Sequence, residues 1–131
     1  MWIKRGRQVE RGQSAVEFAL LVSVLLIFLM AILDLGRGLY AYTAITAAAQ
    51  EGVRYALIHP GDGAGVDAVV HSHAVGLDPA RLTSALFEPQ PDIVSVTVTY
   101  DFVLITPLIG DLVGNEGVWR LQVAAATGPY W

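Results

Sequence analysis

Three patterns of apolar and polar positions follow one another along the chain. From Ala15 to Leu33 the residues are almost all apolar, interrupted only by Glu17 near the start and by Ser23. As a helix, these nineteen residues span about 28 Å at ~1.5 Å per residue. That is close to the roughly 30 Å of a bilayer's hydrocarbon core. The Ser23 hydroxyl can bond a carbonyl one turn back, so it does not break the pattern. Beyond Asp34 the apolar positions thin to a helical period: Leu35, Leu39, Tyr42, Ile45, Ala49, Val53 and Ala56 recur every three or four residues, as one face does. Alanines at 41, 44, 47, 48 and 49 favour the helix and leave a narrow surface for close packing. The two patterns predict one long helix from about Gln13 to about Ile58, loosened locally by Gly36, Gly38 and Gly52. His59-Pro60 disfavours its continuation.

"HPGDGAG" then reads as a turn, since it lacks both the Gly-Lys-Ser/Thr ending and the preceding strand of a phosphate loop. "VDAVVHSHAVGL" predicts a short amphipathic helix, with Val66, Val69, Val70, Ala74 and Leu77 on one face and Gly76 near its end. Asp78-Pro79 supplies an N-cap and a first-turn proline for one further helical turn. The third pattern is alternation. "RLTSALFE" is a short candidate strand. In "DIVSVTVTYDFVLI", residues 92–105, Val94, Val96, Val98, Tyr100, Phe102 and Leu104 alternate with polar neighbours. "TPLIGDLVGNEG" reads as a loop whose Leu108, Ile109, Leu112 and Val113 cover a core edge. The last strand, "VWRLQVAAAT", points Trp119, Leu121, Val123 and Ala125 one way. The fold class is therefore α+β: a long N-terminal transmembrane and amphipathic helix, then a small domain with a short helix and an antiparallel sheet of about three strands. The expected division is a basic leader over 1–12, a membrane span over 13–34, an amphipathic extension over 35–58, and an extracytoplasmic domain over 59–131.

Composition and charge sharpen this picture. The 131 residues are 54% hydrophobic and 15% charged, with net charge −4. Lys4, Arg5, Arg7 and Arg11 against Glu10 give the first twelve residues +3, while four arginines against eleven acids give the remainder −7. A basic flank ahead of an apolar run predicts an N-terminus held in the cytoplasm and an acidic remainder outside. Without basic clusters beyond the leader, nucleic acid is not an expected partner. The chain has no cysteine, which excludes disulfides, thiolate metal sites and thiol catalysis.

Candidate chemistry adds little. His71 and His73, two apart on a predicted helix, point about 200° away from each other and cannot share a metal. No metalloprotease or nucleophile-elbow spacing occurs, so no catalytic residue, metal or cofactor is expected and the chain is read as a non-enzyme. Tyr100, Phe102 and Trp119 fall on alternating strand positions and are expected in the core. Tyr40 and Tyr42 are expected at the membrane surface. Asp92 and Asp101 are expected to be solvated. Asp34 and Arg37, three apart, are expected to pair at the membrane boundary, for a few tenths of a kcal/mol. Leu21, Leu25, Phe28 and Ile32, spaced at four, three and four, are the expected helix-packing stripe.

Glu17 is the residue that needs a reason. A carboxylate entering lipid costs several kcal/mol unless it is paired. In a plain anchor it snorkels to the head groups. The segment G12-Q13-S14-A15-V16-E17-F18, however, resembles the class III signal of type IV pilin-like proteins. There a membrane peptidase cuts after a glycine that follows a short basic leader, and residue five of the product is a glutamate opening the apolar helix. Gly6 fails this test, because Arg11 occupies its fifth position. The resemblance implies processing between Gly12 and Gln13, and a new ammonium at Gln13 one turn from Glu17. It also implies that Glu17, with Phe18 beside it, sets the register between subunits. One departure is that Gln13 is polar, where many pilins begin with phenylalanine.

The wider stretch "GQSAVEFALLVSVLLIFLMAILDLGRGLYAYTAITAAAQEGVRYA" resembles the N-terminal signature of TadE-like proteins, the minor pilins or pseudopilins of tight-adherence (Tad) pili. It does so through Glu17-Phe18, Asp34, Gly36-Arg37, Ala48-Ala49 and the "EGVRYA" ending. "VDAVV", "VTVTYDF" and "TPLIG" resemble the small distal domain of such proteins. The resemblance implies a single-pass subunit of the cytoplasmic (inner) membrane that takes part in assembling a pilus for surface adhesion. Its partners would be other Tad pilins and pseudopilins, a prepilin peptidase, the assembly platform in the inner membrane, and membrane lipid. Two other readings stay open. One is an uncleaved single-pass protein whose outer domain binds a ligand or an envelope partner. The other is a secreted enzyme released by a cut beyond Leu33, although no small-x-small cleavage site follows the apolar run directly.

Overall fold

The computed structural model describes residues 6–90, 93–106 and 117–127. Helix α1, Gly6–Ile58, is a single unbroken helix of 53 residues, about 80 Å long at ~1.5 Å per residue. It starts seven residues before the expected Gln13, because nothing between Gly6 and Gly12 is a strong helix breaker and single glycines cost only about 1 kcal/mol each. Gly36, Gly38 and Gly52 do not interrupt it either. It ends where expected. His59 N–H still donates to the Tyr55 carbonyl at 3.0 Å, and Pro60 and Gly61 (φ +79°) then turn the chain.

Helix α2, Gly63–His73, begins and ends earlier than its apolar pattern suggested. Its start is fixed by a cap: Asp62 Oδ1 accepts from Gly65 N–H at 2.9 Å. A Cβ on residue 65 would collide with both Asp62 and Tyr55, so the tight approach needs glycine. The helix stops at His73 and the chain turns through Gly76, φ +77°. Asp78 then caps a 3-10 turn, Pro79–Arg81, accepting from Ala80 N–H at 3.0 Å. Strands β1 (Leu82–Gln90), β2 (Ile93–Val103) and β3 (Val118–Thr127) form an antiparallel sheet in the order β1-β2-β3. Leu86 lies opposite Val96, and Phe102 opposite Trp119. The expected loop residues Leu108, Ile109, Leu112 and Val113, and Asp92, lie outside the described residues.

In β2 every second residue is buried, from Val94 to Phe102, as its alternation predicts. That face packs on α1 and α2. The expected face of α1 is buried from Ile45 to Ala56 and left open below it. Ala41, Ile45, Ala48, Ala49, Val53 and Ala56 are buried, whereas Leu35, Leu39 and Tyr42, expected on the same face, remain 65%, 60% and 49% exposed. Small residues explain the difference, because the sheet and α2 approach α1 where side chains are short. Gly52 is the tightest point. A Cβ there would sit 3.0 Å from Val70 Cγ2 and 3.2 Å from Val96 Cγ1, so this glycine is a packing residue rather than a loosening one.

Candidate functional site

The apolar N-terminal half of α1 is exposed along nearly all of its length. The helix contains a window of mean hydropathy 2.8 with none of that window buried, long and apolar enough to cross a membrane. This surface points to membrane anchoring. The expected packing stripe is bare along its length: Leu21 is 66% exposed, Leu25 55%, Phe28 65% and Ile32 51%. Ser23 Oγ donates to the Ala19 carbonyl at 2.8 Å, which satisfies the one hydroxyl inside the run. At the cytoplasm-proximal end expected for the span, Gly12, Gln13, Val16, Glu17 and Leu20 line one side of the helix. Gln13 and Glu17 are four residues apart on continuous helix, hence one above the other. Phe18 is 69% exposed beside them. No described residue bonds to the Glu17 carboxylate, so any compensating charge must come from the N-terminus, another subunit or solvent.

At the other end of the span, Asp34 is far more than half of a surface ion pair. Its side chain is 3% exposed. It accepts from Ile105 N–H at 3.0 Å, from Thr106 N–H at 2.8 Å and from the Thr106 hydroxyl at 2.7 Å, all through Oδ2. Arg37 Nη1 donates to Oδ1 at 3.1 Å. The expected Asp34–Arg37 contact therefore exists, but it is the outer part of a knot that ties the helix to the segment following β2. The Arg37 guanidinium also lies 5.2 Å from the centre of the Phe102 ring. Sequence reasoning missed Ile105 and Thr106. Their link to Asp34 runs through two main-chain N–H groups, and backbone donors leave no mark in a hydropathy pattern.

Two further ties fix α2 to α1. Tyr40, expected only as a membrane-surface residue, donates its hydroxyl to the Val75 carbonyl at 2.9 Å. Tyr55 donates to Asp62 Oδ2 at 2.9 Å and stacks on His59 with ring centres 4.4 Å apart. The Gly65 N–H and Tyr55 hydroxyl bonds hold the Asp62 carboxyl below its ordinary range, and the same bond raises Tyr55. His71 and His73 place ring nitrogens 2.9 Å from the Asp67 and Val69 carbonyl oxygens one turn back. Asp101, expected to be solvated, lies opposite Arg120 on β3 and pairs with its Nε at 3.0 Å.

Between the Asp34 knot and the sheet lies an apolar recess of about 360 Å³, lined on one side by Ala31, Leu35, Leu39 and Tyr42, and on the other by Phe102, Leu104, Trp119 and Leu121. Trp119 was expected in the core and is instead 49% exposed. It does sit on the inner face, opposite Phe102. But α2 packs beside β1, so at this end of β3 only α1 is available as cover, and α1 presents Gly38 there.

No curated protein and no solved structure matches the chain. Residues 12–54 match the family model described as TadE-like protein, a segment that runs from the Gly12–Gln13 junction, through the uncovered apolar helix and Asp34, to the tight helix packing at Gly52.

Proposed function

We propose that the chain is a minor pilin or pseudopilin that takes part in assembling a Tad pilus. It would be inserted with its N-terminus in the cytoplasm and its small domain outside, and trimmed between Gly12 and Gln13 by a prepilin peptidase. It would then be held to neighbouring subunits through the face carrying Leu21, Leu25, Phe28 and Ile32. The observation that carries this reading is the carboxylate of Glu17, to which no described residue bonds, at the mouth of an exposed apolar helix, one turn from Gln13, within the segment that matches the TadE-like model. Trimming removes the basic residues Lys4, Arg5, Arg7 and Arg11 together with Glu10, and creates an ammonium at Gln13. A neighbouring subunit's ammonium, brought beside Glu17, offsets the cost of a charge near lipid, and it does so at only one axial offset between helices. Cohesion between the helices comes from van der Waals packing, which lipid does not oppose strongly. The small domain, tied to α1 by Asp34, Tyr40 and Tyr55, would travel with the helix as one unit and present the surface that outer partners meet.

The test is the intact mass of the membrane-extracted protein, with and without an active prepilin peptidase. A chain beginning at Gln13 only when the peptidase is present supports the reading. An intact chain beginning at Met1 in both backgrounds favours the uncleaved single-pass protein that binds a ligand or envelope partner through its outer domain.

A further inference from the structure

We propose that the base of the small domain is seated in the membrane's outer boundary, with the lipid surface filling the recess between α1 and β3. This rests on the membrane-anchor reading of α1 and extends it from the helix to the sheet. If Glu17 marks the inner edge, a hydrocarbon core of roughly 30 Å begins at Phe18 and takes about 20 residues at ~1.5 Å each, ending near Arg37. The head-group layer adds roughly 5–7 Å, or about four residues, reaching Tyr42. The recess spans this same interval of the helix, from Ala31 to Tyr42. What the domain exposes there is apolar and aromatic: Leu35 at 65%, Leu39 at 60%, Ile105 at 58% and Trp119 at 49%. Among the described residues, these continue the bare surface of the anchor without a polar break between Leu33 and the sheet, apart from Arg37 and the buried Asp34.

The polar groups at this level suit a boundary position. Asp34 falls inside the hydrocarbon edge, where an unpaired carboxylate would cost several kcal/mol. There it is 3% exposed, with Ile105, Thr106 and Arg37 satisfying it. Arg37, half exposed, is placed to reach lipid phosphates while its stem stays in apolar surroundings. Trp119 and Tyr42 pair an apolar ring with a polar group, the combination favoured at membrane–water interfaces. A recess facing water would leave these side chains as an unexplained apolar patch.

The chain has three tryptophans, so replacing Trp2 and Trp131 by phenylalanine leaves Trp119 as the sole probe in an otherwise full-length protein. This variant is reconstituted in phosphatidylcholine vesicles with and without bromine on the acyl chains near the glycerol end. A second chain, with all three tryptophans replaced and Phe28→Trp introduced, is reconstituted in vesicles brominated near the ends of the acyl chains, at the depth of residue 28, and reports on the anchor itself. Membrane seating predicts that brominated lipid removes the larger part of the Trp119 emission, and that this emission is blue-shifted in plain vesicles. If the Phe28→Trp probe is quenched but Trp119 is not, the seating is overturned while the anchor stands. Blue-shifted but unquenched Trp119 emission would mean protein fills the recess, which also overturns it. If neither probe is quenched, the anchor reading fails and the inference falls with it.

Discussion

Asp34 carries more of the tertiary structure than any other single charged residue described. One carboxylate holds two backbone N–H groups, a hydroxyl and a guanidinium. Asp34→Ala leaves the Ile105 and Thr106 donors unpaired in a place water reaches poorly, at about 1–3 kcal/mol each. We expect a loss of roughly 3 kcal/mol in the docking of the small domain on α1, read as lost hydrogen-exchange protection at Ile105 and Thr106. Protection unchanged from the parent would show that the knot is not holding the segment. Thr106→Val removes one donor while keeping the shape, and should cost about 1 kcal/mol. Asp62 acts at the other end of the domain. Its folded pKa is lowered by Gly65 N–H and Tyr55, so its stabilisation is full at neutral pH and is lost as pH falls through that lowered value. Unfolding midpoints for the parent and for Asp62→Asn should therefore converge as the pH drops through and below the ordinary carboxylate range. A constant gap across pH would contradict the assignment. At this scale the sequence was only half legible. Asp34–Arg37 is visible as an i,i+3 spacing, but the main-chain donors that make Asp34 a knot are seventy-one and seventy-two residues away and chemically anonymous.

Among elements, the strands were the easiest to read. β2 alternates because one face meets helices and the other meets water, so its period is written in valines and threonines. The end of α1 was equally plain, since Pro60 removes the donor and the space a continuing helix needs. The buried face of α1 was harder. Of the expected face, Ile45, Ala49, Val53 and Ala56 are buried while Leu35, Leu39 and Tyr42 are not, and beside it Ala41, Ala48 and Gly52 are small enough for close approach. Gly52→Leu puts a branched side chain where even a Cβ lies 3.0 Å from Val70 and 3.2 Å from Val96. We expect a loss of about 2 kcal/mol or more, less any gain in helix propensity. Thermal unfolding in detergent followed by near-ultraviolet circular dichroism checks it, and a variant as stable as the parent would mean that α2 and β2 do not meet α1 there. Trp119 was misread for a related reason. Alternation shows which side of a strand a residue faces, and says nothing about whether another element extends far enough to cover it.

For the whole molecule, the uncovered half of α1 is the dominant feature. A helix bare from Val16 to Leu33 requires lipid, other helices, or both. Charge and hydropathy both change at its two ends: a basic segment on one side, and Asp34 and Arg37 on the other. The occupant of the bare surface is not written in one chain, because a packing stripe of Leu21, Leu25, Phe28 and Ile32 looks the same to lipid and to a neighbouring helix. Glu17 distinguishes the two, since lipid offers it only snorkelling whereas a trimmed neighbour offers an ammonium. The most direct measurement is therefore pilus production in cells whose only copy carries Glu17→Ala, with membrane insertion followed in parallel by carbonate extraction. The pilin account predicts normal insertion and loss of most surface pili. Normal insertion with pili at parental levels would contradict it, since the carboxylate would then have no part in assembly.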